Sequence, residues 1–139
     1  MPIQLPWLLR SFQNYFSSNY STTTIGWPGT NFASTGEYVV PMLERFGGLM
    51  YQVSEHETVQ VRVKLLIPRT SQADRIWTVA EAVKTTLQSK TITVNAYGTS
   101  SSTAMGYLRL FKAEPIPLPD VDPEIAHMDV IFPGLYDEV

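Results

Sequence analysis

The side chains best suited to proton transfer or metal binding are His56 and His127, the two histidines of this 139-residue chain. Imidazole alone titrates unaided near neutral pH. His56 stands between Glu55 and Glu57, just ahead of an alternating segment, so it reads as a solvated hairpin end. His127 lies two residues before Asp129, with Glu124 nearby, which would place two polar groups on one strand face. A catalytic base must reach a substrate proton, and a structural or catalytic zinc takes three or four protein ligands. Neither histidine brings such company, and His127 with Asp129 reads as a surface or interface pair. Asp120, Asp122 and Glu124 form an acidic cluster between prolines, but the EF-hand spacing and its glycine are missing. They read as a solvated linker. The Walker, dinucleotide-binding, nucleophile-elbow and H-E-x-x-H patterns are absent. Asn19-Tyr20-Ser21 fits a glycosylation acceptor only by chance. No catalytic residue, cofactor site or metal site is predicted, and the chain reads as a non-enzyme.

Bulk composition narrows the partners. Charged residues are 17% of the chain, below the usual quarter, and hydrophobic residues are 44%. With fewer ions to cover it, some surface is expected to be covered by protein. Net charge is −3, from 10 basic and 13 acidic residues. Binding nucleic acid through its phosphates needs a dense basic face, which residues scattered from Arg10 to Lys112 do not supply. No apolar run approaches the roughly 20 residues that span a bilayer. The opening Met-Pro-Ile-Gln lacks the charged start and apolar core of a signal peptide, which predicts a soluble, cytoplasmic product. Without cysteine there are no disulfides and no thiolate metal ligands.

The elements that position these residues follow from periodicity. Leu5 to Asn19 predicts a helix, with Pro6 in the first turn and Leu8, Leu9, Phe12, Tyr15 and Phe16 on one stripe. Thr22 to Ile25 suits a short strand, and Gly26 to Thr30 must be a loop. Gly36 to Leu43 is extended, with Pro41 confining it to an edge or bulge; Gly47-Gly48 turns, and Leu49 to Ser54 resumes the strand. Thr58 to Pro68 alternates Val59, Val61, Val63, Leu65 and Ile67 with mostly polar neighbours, a half-buried strand. Ser71-Gln-Ala-Asp74 resembles a capping box ahead of a helix to about Ser89, with Ile76, Val79, Ala80, Val83 and Leu87 inward. Thr91 to Ala96, Tyr107 to Ala113 and Ile125 to Phe132 complete the strands, and 133–139 reads as a tail. Trp7, Trp27 and Trp77 are expected to be core or interface anchors. Residues 1–139 form a single α+β domain: a mainly antiparallel sheet of four to six strands with two helices packed on one face. A flexible loop lies near 98–104 and an extended Pro-rich arm near 115–123.

The loop Ile25-Gly-Trp-Pro-Gly-Thr-Asn-Phe32, followed by Gly36-Glu-Tyr38, resembles the tail-terminator and tail-completion proteins of long-tailed bacteriophages. That family opens with a helix, then an apolar-aromatic-Pro-Asn segment, then a Gly-x-Tyr start of strand. Trp27, Pro28, Asn31, Phe32, Gly36 and Tyr38 hold those places here, although Gly29 and Thr30 separate Pro28 from Asn31. The strand Val59 to Pro68, the helix Asp74 to Leu87 and the closing strand Met128 to Phe132 follow in the same order. The resemblance implies a homohexameric ring that caps the tail tube and stops its polymerisation. It implies the tail tube protein and the head–tail connector or stopper as partners, with DNA passing through the lumen without specific binding. It also implies no cofactor, and a place in the virion neck after assembly in the host cytoplasm. Trp27, Pro28, Asn31, Phe32 and Tyr38 become candidate subunit-interface or loop anchors. A ring closes through head-to-tail interfaces. Other neck or tail subunits, such as a tail tube or head-completion protein, are the nearest alternative; a small enzyme or ligand-binding module sharing the fold is the more remote one.

Overall fold

The computed structural model describes residues 5–29, 36–45, 56–70, 72–96, 103–118 and 124–138. Its elements run α1 (Leu5–Asn19), β1 (Thr24–Ile25), β2 (Tyr38–Arg45), β3 (His56–Pro68), α2 (Arg75–Leu87), β4 (Thr91–Asn95), β5 (Ala104–Leu110), β6 (Glu114–Pro117) and β7 (Ile125–Glu138). The strands form one sheet in the order β1-β2-β3-β7-β5-β4, with β6 also paired to β7. The fold is α+β, as expected, but the sheet has seven strands and is mixed. β1 joins β2 in parallel, while the other pairings are antiparallel.

Alternation along β3 separates the two faces. Val59, Val61, Val63, Leu65 and Ile67 are buried, and antiparallel register sets them beside Met128, Val130, Phe132 and Tyr136 of β7. Val39 of β2, Leu108 and Leu110 of β5, and Ile92 and Val94 of β4 extend that face. Leu8, Phe12 and Phe16 of α1 and Val79, Ala80, Val83 and Leu87 of α2 close over it. Fully burying a side chain of this size contributes about 1.5–3 kcal/mol, so this layer holds the domain together. Both helices lie on one face; among the described residues the opposite face carries no helix. Tyr15 ties the helices together by donating its hydroxyl to the Thr86 carbonyl at 2.9 Å.

Three local expectations are corrected. Asp74, with φ −90° and ψ 0°, is itself the N-cap of α2 and makes no side-chain cap hydrogen bond, so the helix starts at Arg75, later than the Ser71-to-Asp74 pattern suggests; Ser71 lies outside the described residues. Residues 133–138 are no tail, because β7 runs on through Pro133 and Gly134 to Glu138. Four steps from Leu110 to Glu114 face three from Gly134 to Ile131, so one extra residue bulges between β5 and β6. Pro133 sits opposite that bulge, where the ladder is already interrupted, and Phe111 N–H donates to its carbonyl at 2.8 Å. At Gly134 a Cβ would lie 2.8 Å from the Arg109 carbonyl oxygen, so the bare backbone permits the close approach.

The Pro-rich arm is likewise paired over its first residues. Leu118 N–H donates to the His127 carbonyl at 3.2 Å, which makes that pair hydrogen-bonded. Bonded pairs alternate along an antiparallel ladder, so Glu114 and Ile116 face β7. Pro115 and Pro117 turn their missing N–H groups to the free edge. The rest of the arm and the loop at 98–102 lie outside the described residues.

Candidate functional site

The sheet face without helices gathers the polar residues noticed in sequence. Register places Lys64 opposite Asp129, Leu66 opposite His127, Arg62 opposite Ile131 and Met42 opposite Arg62. Glu44, Gln60, Arg62 and Asp129 therefore share this face. Asp129 is only 5% exposed, and its Oδ2 lies 3.4 Å from Arg62 Nη1. Arg62 Nε approaches Glu44 Oε1 to 3.5 Å, a charge contact outside hydrogen-bond geometry, and Gln60 Nε2 donates to Glu44 Oε2 at 3.0 Å. Asp129 Oδ1, Arg62 Nε and His127 Nε2 are enclosed with no hydrogen-bond partner among the described residues. Each such atom costs about 1–3 kcal/mol of desolvation. Among the described residues no group of three or more His, Cys, Asp and Glu could hold a metal.

Apolar side chains surround this ionic row. Tyr107, Phe111 and Ile116 are exposed by 37%, 46% and 43%. Tyr107 lies opposite Asp137 and Ile116 opposite Asp129, both on the helix-free face. The bulge flips the side-chain phase between β5 and β6, which is why odd-numbered Tyr107 and even-numbered Ile116 emerge together. Arg109, bonded to Asp137 at 3.1 Å, lies among them. Val40, Met42, Leu66, Ile131 and Leu135 are half-buried on the same face.

The anchors named from the resemblance are divided. Trp27 is half-buried, its ring edge-on to Phe16 at 6.1 Å and 80°, so it holds the loop after β1 against α1. Pro28 is exposed. Tyr38 is 8% exposed and opens β2 opposite Leu66, at the margin of the helix-free face. Asn31 and Phe32 lie outside the described residues. Of the other singled-out residues, His56 begins β3 opposite Asp137, Trp77 is 48% exposed on α2, and Asp120 and Asp122 are not described. Sequence reasoning missed Arg62, Glu44 and Gln60, because only the register joins them to Asp129. Near the loop, Arg75 makes a two-pronged bond to Glu37 at 2.8 and 2.9 Å, and that carboxylate holds the guanidinium above its usual pKa. Burial raises the Tyr20 and Tyr136 hydroxyls above their ordinary range.

No protein-family model and no curated protein matches the chain. Three solved chains match it in fold. One of them, whose name describes neither activity nor partner, superposes with a TM-score of 0.70 at 11% identity, over 99% of this chain and 97% of its own. At that identity the likeness is one of fold alone. The helix–strand order is thus a shared architecture, and function must be argued from surfaces.

Proposed function

We propose that the chain is a structural subunit of the neck or tail of a long-tailed bacteriophage, of the tail-terminator kind. On this reading a ring of six copies caps the tail tube, stops its growth and meets the head–tail connector. The observation that carries the reading is the helix-free sheet face, where Tyr107, Phe111 and Ile116 stand exposed beside the charged row of Glu44, Arg62 and Asp129. Exposed large apolar side chains set among charged ones along a sheet face favour a protein–protein contact. The resemblance of Trp27 to Tyr38 and the order of elements supply the identity of the assembly. Net charge of −3 suits a lumen through which DNA passes without sticking.

Electron microscopy of the chain mixed with tail tubes tests the proposal. Rings seated on tube ends, with tube length held constant, are the expected outcome. Tubes that grow on unchanged, with bare ends, would reject it.

A further inference from the structure

Among the described residues no strand pairs with the outer edge of β4, and that edge is separate from the open sheet face. Leu110 N–H donates to the Lys90 carbonyl at 2.9 Å, so Lys90 and Leu110 form a bonded pair. Alternation then makes Ile92 with Leu108 and Val94 with Gly106 bonded pairs. The backbone N–H and C=O groups of Thr91 and Thr93 point the other way, off the sheet. The register shifts between Val94 and Asn95. Beyond it Ala96 N–H donates to the Thr103 carbonyl at 3.0 Å, which turns Asn95 outward too. The structure records this phase directly: Asn95 N–H donates to Ser11 Oγ of α1 at 3.1 Å.

α1 therefore lies alongside the edge of β4, touching it at Asn95 and leaving a groove beside Thr91 and Thr93. The groove holds about 590 Å³, within the range of ligand sites, and is lined by Ser11, Asn14, Tyr15, Ser18 and Asn19 from α1. Thr91, Ile92, Thr93 and Asn95 form its other wall. Every lining residue is uncharged, in a chain that carries 23 ionisable Lys, Arg, Asp and Glu side chains. A strand edge facing a helix across a groove is the arrangement by which extended peptides add to a sheet. An unpaired edge supplies the affinity through main-chain bonds, and the flanking helix supplies selectivity.

We propose that the groove between α1 and β4 binds an extended, uncharged peptide segment of a partner protein, which adds to the sheet as a strand beside β4. Main-chain groups of the peptide bond Thr91 and Thr93, and its side chains meet the hydroxyl and amide groups of α1. A charged side chain facing α1 would find no countercharge among the lining residues, so neutral segments are favoured. The inference is independent of the ring, which the open face serves.

The test uses the full chain and a library of end-capped peptides of about six residues, the usual strand length. Half carry alternating Val, Thr and Ser; the other half carry Lys or Glu at alternate positions. Neutral peptides should bind, with the Thr91 and Thr93 amides shifting by NMR and gaining exchange protection. Thr93→Pro removes only an N–H that faces the free edge, as Pro115 and Pro117 do in β6, and should weaken binding about tenfold. Ser18→Trp, at an exposed helix position, fills the groove from the other wall and should abolish binding without touching the strand. Binding confined to charged peptides, no binding by either half, or affinity unchanged in both variants would overturn the proposal. So would a Thr93→Pro effect on self-association alone, since the edge would then belong to a second copy. Rings that assemble normally while no peptide binds would sink this inference and leave the ring standing.

Discussion

Removing either partner of the Arg62–Asp129 pair should cost more than removing both. Asp129 is 5% exposed and its Oδ2 is 3.4 Å from Arg62 Nη1. At that separation the Coulomb attraction is about 5 kcal/mol for an effective dielectric near 20. The Arg62 side chain is 36% exposed, so solvent screens the pair and the net coupling falls to about 1–3 kcal/mol. Arg62→Met leaves the Asp129 carboxylate enclosed with neither oxygen bonded, and should destabilise by about 2–4 kcal/mol. Asp129→Leu leaves Arg62 with Glu44 at 3.5 Å, and should cost less. The double variant, with apolar groups in both places, should recover most of the loss, since buried ion pairs exchanged for packed hydrophobes are often neutral. Urea unfolding of all four proteins at one concentration closes the cycle. Strictly additive losses would refute the argument, showing that the two side chains do not depend on each other.

The core and loop give further expectations. Gly106→Ala should destabilise by about 1–3 kcal/mol, because the new methyl would meet the Tyr136 hydroxyl and, at 2.5 Å, the Asp137 carbonyl; thermal unfolding measures this. Trp27→Ala should cost about 1–3 kcal/mol by removing the ring that packs on Phe16; unchanged stability together with unchanged assembly would show that the loop is anchored otherwise. The buried Tyr20 and Tyr136 have folded-state pKa values raised from 10.0, first by desolvation. The neutral phenols are favoured in the fold, so stability is full below about pH 10 and falls as pH climbs through the raised values. A melting temperature that declines over that alkaline range, and declines less steeply in Tyr20→Phe, is the expected profile.

Where one local period ruled, the sequence was readable. β3 alternates without interruption and both helices bury most of their apolar stripes, Leu9 being 40% exposed, so these elements and the helix-bearing face emerge before any coordinates. Reading failed where a breaker residue was judged alone. Pro133 and Gly134 predict an end to pairing, yet β7 continues because the bulge opposite them removes the need for the proline N–H. Pro115 and Pro117 predict a free arm, yet their phase along β6 turns both nitrogens outward. Both outcomes depend on what lies across the ladder, which one chain segment does not encode. The polar row shows the same division. His127 and Asp129 can be placed on one face from their spacing, whereas Arg62 and Glu44 join them only through the registers of β2, β3 and β7.

Native mass spectrometry of the wild-type chain and of Phe111→Asp addresses the proposed assembly most directly. Phe111 is 46% exposed, so the substitution places a charge on the open sheet face at little expense to the fold. The account predicts one closed oligomer for the wild type, six copies by the resemblance, and dissociated but folded subunits for the variant. A wild type that stays monomeric at its highest soluble concentration and beside tail tubes, or a variant that assembles unchanged, would contradict it.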